Sequence, residues 1–195
     1  LKYLHKLIRL VRNVYIDLKT TGHFLGGTVA TKHPHLGVTA IGSTDYSLMP
    51  ALFGATLRAD DVFVDVGCGK GRVLCWLVHK GYTNQLIGVE LDPEISARTR
   101  LHLKKHSNIS IISGNIFDNL PANATFFYLY NPFNEEIAKA FKQALESSYL
   151  PQGRTIRVLY YYSHCVKLFK DDPRWSIHEF SIGFQKEATL LTLNH

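Results

Sequence analysis

An α/β fold on a mostly parallel sheet is predicted by three observations. The β-favouring residues Val62-Phe63-Val64 run into Asp65-Val66 without polar alternation, as a strand covered on both faces must, and break at the alternate glycines Gly67, Gly69 and Gly71. Strand-like and helix-like stretches then alternate, the pattern of parallel strands joined by crossover helices. Two β-rich runs close the chain, Trp175 to Phe184 and Ala188 to Leu193, joined only by Gln185-Lys186-Glu187. So short a connection forces an antiparallel pair.

The 195 residues fit one domain with a sizeable core, and 46% hydrophobic with 19% charged residues is ordinary globular composition. A formal charge of +6 weakly favours acidic partners and leaves nucleic acid possible. Cys68, Cys75 and Cys165 form neither a C-x-x-C pair nor a metal spacing, so buried thiols in a reducing compartment are expected. No run approaches the roughly 18 apolar residues of a membrane span and no signal-peptide pattern is visible, which predicts a soluble cytoplasmic protein.

Taken in order, residues 1–19 place Leu1, Leu4, Leu7, Ile8, Val11, Val14, Tyr15 and Leu18 at helical spacing, with Lys2, Lys6, Arg9 and Arg12 off that stripe. The stripe is expected to pack across the domain as a lid; contact with a membrane surface or an acidic partner is the other use of a basic amphipathic helix. Periodicity vanishes from Thr20 to Ser43, where glycines accumulate and His33 and His35 flank Pro34 without a third metal ligand. Ser43-Thr44-Asp45 is expected to cap a helix running from Tyr46 to Phe53, limited by Pro50. That stretch enters just ahead of the glycine strand, which makes Asp45 and Tyr46 candidates to fold back over a ligand.

Past Gly71, the apolar Val73, Leu74, Leu77 and Val78 predict a helix ending near Gly81. Gln85 to Glu90 reads as a second buried strand closing on an acid 19 residues past Gly71, a spacing suited to ribose hydroxyls. Asp92 then caps a helix with Pro93 at its first position. Asn108 to Ile112 is a third strand, followed by a loop from Ser113 to Asp118. Thr125 to Tyr130 is a fourth, running directly into Asn131-Pro132-Phe133. Asn134 caps the next helix, with Glu135 and Glu136 in its positive first turn and Ile137, Phe141, Ala144 and Leu145 as its core stripe. Ile156 to Tyr162 gives a fifth strand, and a short helix fits Cys165 to Lys170.

The glycine turn is a cradle in which backbone approaches a ligand at a helix N-terminus. A dinucleotide fingerprint needs G-x-G-x-x-G, but here the third glycine comes one residue early and Arg72 stands in its place. A P-loop fails as well, because Lys70 is followed by Gly71-Arg72.

What remains, D-x-G-x-G-x-G from Asp65 to Gly71, resembles motif I of the class I S-adenosylmethionine (SAM)-dependent methyltransferases. With Glu90, Asn115-Ile116, Asn131-Pro132-Phe133 and the terminal pair of strands, the resemblance covers roughly residues 43–195. The runs Val62 to Gly67 and Gly42 to Tyr46 are similar to segments of the non-SET histone-lysine methyltransferases, and Tyr128 to Phe133 to a group of small bacterial methyltransferases. The resemblance implies a Rossmann-like, doubly wound, seven-stranded sheet with a C-terminal antiparallel hairpin, and SAM as cofactor. It divides the chain into an N-terminal helix and glycine-rich cap, residues 1–44, and a SAM-binding domain, residues 45–195. The implied cofactor contacts are Asp65, Gly67, Cys68, Gly69, Gly71, Glu90, Leu91, Asn115, Ile116 and Asn131. Asn131 and Tyr46 are the candidate catalytic residues. The methyl acceptor is open, with a protein amine or a small metabolite favoured over nucleic acid. The competing reading is a non-catalytic binding module that presents the basic N-terminal helix to nucleic acid or a membrane surface.

Overall fold

In the computed structural model, which describes residues 2–27, 44–130, 132–182 and 187–195, the central strand is β1 (Val62–Val66). It pairs in parallel with β2 (Gln85–Glu90) on one side and β4 (Phe126–Tyr130) on the other. Among the described residues seven strands form one sheet in the order β3-β2-β1-β4-β5-β7-β6, with β3 at Ile109–Ser113, β5 at Ile156–Tyr161, β6 at Trp175–Ser181 and β7 at Glu187–Leu193. β7 runs antiparallel to both of its neighbours, as the short link before it requires. The link itself, with Gln185 and Lys186, lies outside the described residues.

The period-two alternation of β1 divides the core between two layers. Phe63 packs with Phe53, Trp76 and Phe126, on the side covered by α2 (Met49–Phe53) and α3 (Arg72–His79). Val64 and Val66 pack with Phe127, Phe141 and Leu145, on the side of α5 (Glu135–Tyr149). Leu103 of α4 (Pro93–Leu103) joins the first layer, and Phe169 of the short α6 (Lys167–Lys170) the second. The chain therefore reverses its direction of winding between β1 and β4. The crevice at the C-terminal ends of those two strands is where such sheets hold ligands.

Two local expectations are corrected. Asp45 does not cap a helix beginning at Tyr46: its Oδ1 accepts from Ser47 N at 2.8 Å and closes a turn, and the helix starts only at Met49, with Pro50 in its first turn. Pro50 has no N–H to donate backwards, so the first turn of a helix is where it fits. The second correction concerns α1 (Lys2–Thr21). It rests on the domain through Asn13, Ile16, Asp17 and Thr20, while the apolar stripe Leu4, Leu7, Ile8, Val11, Tyr15 and Leu18 is 48% to 60% exposed. Beneath α1 the domain offers both an apolar seat for Ile16 in the first core layer and hydrogen-bonding groups for Asp17 and the last turn, and the face that is buried carries both. Lys105 Nζ donates to Lys19 O, and the His106 ring bonds Thr20 O at 2.9 Å.

Candidate cofactor-binding site

The glycine turn leaves β1 with Gly67, Gly69 and Gly71 all in the left-handed region, at φ of 72°, 52° and 76°. Side chains other than glycine rarely adopt that conformation. Neighbouring strands tie the turn down: Gly67 N and Cys68 N both donate to Val89 O, Thr99 Oγ1 donates to Gly69 O at 2.8 Å, and Gly69 N donates to Glu90 Oε2 at 2.8 Å. At Gly71 a Cβ would stand 2.8 Å from Leu103 Cδ1 and 2.9 Å from Thr99 Cγ2, so this glycine also lets α3 and α4 approach. At Gly67 the nearest atom to such a Cβ is Pro132 Cβ at 3.9 Å, which places the Pro132-Phe133 corner over the start of the turn.

Two carboxyls lie under this turn. Glu90, 4% exposed, accepts from Gly69 N through one oxygen and from Asp92 N at 2.9 Å through the other. Burial raises its pKa against these two bonds. A carboxylate has about four acceptor positions, so each oxygen of Glu90 keeps capacity for another donor. Asp65 is equally buried, at 4%, and among the described residues no hydrogen bond to its carboxyl is recorded. Desolvation, with the neighbouring Glu90 charge, pushes its pKa up to about 8.

Leu91 follows Glu90 and is half-buried. Cys68 turns its thiol the other way, into the space left by the missing side chain of Gly88, where a Cβ would meet Sγ at 2.7 Å. Burial keeps that thiol protonated, and the side chain packs the turn against β2. Gly114 N donates to Glu90 O, which brings the loop after β3 beside the acid. In that loop Asn115 is exposed and its Oδ1 accepts from Phe117 N at 3.1 Å, capping a short 3-10 turn (Ile116–Asp118); Ile116 is buried. Asn131 lies outside the described residues. Beyond it Phe133 is buried against Phe141, with ring centroids 5.4 Å apart.

Tyr46 is 2% exposed and its hydroxyl donates to Asp17 Oδ1 of α1 at 2.5 Å. The Arg72 guanidinium sits 4.8 Å from the Tyr46 ring centroid and donates to both Asp17 oxygens, at 3.3 and 3.0 Å. Burial drives the Tyr46 hydroxyl pKa far above its usual range, so the group stays a donor. Tyr46 is thus brought to the first residue of α3, and its hydroxyl is committed to Asp17. Lys70, inside the turn, donates to Gly26 O and Gly27 O at 2.7 and 3.2 Å and draws the segment after α1 over the cradle. Thr44 meets Tyr128 across 3.0 Å, on the same face of the sheet as Asp65.

Sequence reasoning missed the Asp17–Arg72 pair, since Arg72 stood out only as a mismatch to the dinucleotide pattern. It also passed over an aromatic corner at the ends of β4 and β5. Tyr130 and Tyr162 stack with centroids 5.8 Å apart, and Tyr161 lies 4.5 Å from Tyr162. Tyr162 is the one described residue other than glycine with positive φ, at 53°. Such backbone strain clusters at functional sites; the run Tyr160-Tyr161-Tyr162 was the available signal.

Residues 63–148 match a family model described as a methyltransferase domain. A protein-lysine N-methyltransferase of Saccharolobus islandicus (strain REY15A) is 26% identical over 105 residues, taking in 52% of this chain and 64% of the relative. Among solved structures, a methyltransferase from Pyrococcus furiosus aligns over 97% of this chain and 98% of its own, with a TM-score of 0.63 at 15% identity. An RNA methyltransferase from Salinibacter ruber, solved with S-adenosyl-L-homocysteine, aligns over 86% and 95%, with a TM-score of 0.57 at 18% identity. At those identities the two structures speak for the fold.

Proposed function

From the premise that this chain carries a class I SAM-dependent methyltransferase domain, we propose that it moves the methyl group of SAM to an amine of a protein acceptor. The observation that carries the cofactor part is Asp65: a buried carboxyl to which no described residue donates a hydrogen bond, beside a glycine turn and next to a second acid. A ligand bearing positive charge relieves that arrangement, and SAM carries both an ammonium and a sulfonium. When bound, SAM supplies an electrophilic methyl on sulfur, so the protein's tasks are alignment and exclusion of water.

On this reading Asp65 receives the ammonium, Gly67 and Gly69 let backbone pass beside the amino-acid portion, and the spare acceptor positions of Glu90 take ribose hydroxyls. Leu91 and Ile116 supply apolar surface for the base and Asn115 its polar edge. Gly71 and Cys68 act by holding the turn against α4 and β2. Asn131 remains the proposed group for orienting the acceptor, and Tyr46 is assigned to positioning, through Asp17 and Arg72. The lysine-modifying relative supports a protein amine. The Tyr130–Tyr162 corner suits it as well, since aromatic faces attract cations. The comparisons lend no support to a non-catalytic binding module.

Titration calorimetry with SAM and with S-adenosyl-L-homocysteine tests the cofactor assignment. Wild type is expected to bind both, and Glu90→Ala to weaken both by roughly tenfold or more, because it also strands the N–H groups of Gly69 and Asp92. Absence of binding to wild type overturns the assignment. The acceptor is read by incubating cell extract with methyl-labelled SAM and separating protein, nucleic acid and small molecules. Label in protein is the expected result, and label confined to either other fraction refutes the protein amine.

A further inference from the structure

α1 is held to the domain by its polar side. At about 100° of rotation per residue, Leu4, Leu7, Ile8, Val11, Tyr15 and Leu18 share one arc, which Tyr3 and Leu10 widen to roughly 160°. All of these side chains are exposed, from 48% at Leu18 to 84% at Tyr3. The buried Asn13, Ile16, Asp17 and Thr20 lie on the opposite side, under the grip of Arg72 and Tyr46. The result is an apolar strip that runs the whole helix, roughly 30 Å, and is mostly exposed, with Val14 half-buried within it and the Tyr15 ring edge-on to His79.

The charges around that strip say what covers it. Lys6 borders one edge, and Arg12 and Lys19 border the other. Arg9 and Arg12 are shared with Asp45 at 3.2 and 3.7 Å. The single carboxylate of the helix, Asp17, is fully buried and paired with Arg72, so none of α1's own exposed groups is negative. A second copy of this chain would bring these cations against their like, whereas an anionic surface is complementary on both edges. Apolar residues on one side, lysine and arginine at the borders and low overall hydrophobicity are the properties of a helix that lies in a bilayer interface. Among the described residues no helix is long and apolar enough to cross a membrane, so this one lies on the surface without spanning it.

We propose that α1 docks this protein onto anionic lipid bilayers, its apolar strip sunk to the acyl boundary and Lys6, Arg12 and Lys19 at the level of the headgroups. The rest of the domain then stands on the solvent side of α1.

Flotation of the full chain with phosphatidylcholine vesicles, alone and mixed with phosphatidylserine, tests the docking. Wild type is expected to float with the mixed vesicles and several-fold less with phosphatidylcholine alone. Leu7→Glu combined with Val11→Glu should reduce flotation roughly tenfold or more, and Lys6→Glu combined with Lys19→Glu should remove the preference for phosphatidylserine. Both pairs change exposed positions, and unchanged thermal melting confirms that they fold. The two vesicle compositions decide the matter for wild type even where a variant does not fold. Failure of wild type to float, or equal flotation with both compositions, overturns the proposal. So does a dimer in sedimentation equilibrium that Leu7→Glu with Val11→Glu splits while wild type ignores the vesicles, which would give the strip to a second copy.

Discussion

Two buried aspartates stand four positions apart at opposite ends of β1, and they are treated in opposite ways. Asp61, 5% exposed, precedes the strand. Its Oδ1 accepts from Thr125 Oγ1 at 2.8 Å and Arg157 Nη2 at 2.6 Å, and its Oδ2 accepts from Arg58 N at 2.7 Å and the same guanidinium group. Arg157 completes its own set on Thr56 O. Asp65, 4% exposed, lies near the other end with no hydrogen bond to its carboxyl among the described residues and a pKa pushed up to about 8. The N-terminal edge of the sheet is closed by a satisfied ion pair and is architecture. The C-terminal edge carries a buried acid to whose carboxyl no described residue donates, and it is the place where an open α/β sheet binds ligands.

The largest expected effect sharpens the closed end. Asp61→Asn leaves the Arg157 guanidinium buried without its counter-charge, and unfolding by guanidinium chloride should show a loss of about 3–5 kcal/mol. Cofactor affinity of the fraction that remains folded should be little changed.

Asp65→Asn is the converse, and should separate function from stability. SAM affinity measured by calorimetry should fall about tenfold to a hundredfold, as expected for a lost charge-assisted contact of about 1.5–3 kcal/mol. Its melting temperature should hold or rise. At neutral pH Asp65 is mostly protonated before SAM binds and ionised afterwards, so binding releases a proton. The measured heat should therefore differ between buffers of unlike ionisation enthalpy, and that difference should vanish in Asp65→Asn.

A further effect is read from pH alone. Asp65 gives up its proton near the ordinary 3.8 in the unfolded chain but only near 8 in the folded one. Between those values the unfolded state has fewer protons, so the stability of the cofactor-free protein falls as pH rises, by on the order of 1 kcal/mol per pH unit at most, and levels off above 8. Asp65→Asn should flatten that decline in denaturation series run from pH 5 to 8, an interval inside this window. An unchanged slope would remove the distinction between the two aspartates.

Much of the fold was legible because its signals are local. The apolar runs of β1, β2 and β5 lack alternation, as doubly covered strands do, and the three-residue link before Ala188 forces the reversal seen in β7. Asp65, the glycines and Glu90 were legible as a group because their spacing follows from one strand–helix–strand step. What failed to show depended on partners distant in sequence. The periodicity of α1 identifies an apolar stripe but not that Arg72, Tyr46 and His106 would claim the opposite side. Likewise Tyr46 reads as a free hydroxyl until Asp17, 29 residues away, accepts from it. Pro50 fits a helix start as well as an interruption, and only the structure places it in the first turn of α2; Asn131 lies outside the described residues.

The grip of Arg72 on Asp17 anchors α1 chiefly through one half of its length. Its second half is pinned, by Arg72 and Tyr46 at Asp17 and by Lys105 and His106 at Lys19 and Thr20, while residues 3–12, roughly 15 Å of helix, are exposed and meet the domain through the pairing of Arg9 and Arg12 with Asp45. Arg72 follows Gly71 directly and opens α3. The contact that anchors α1 therefore falls on the residue that closes the glycine turn.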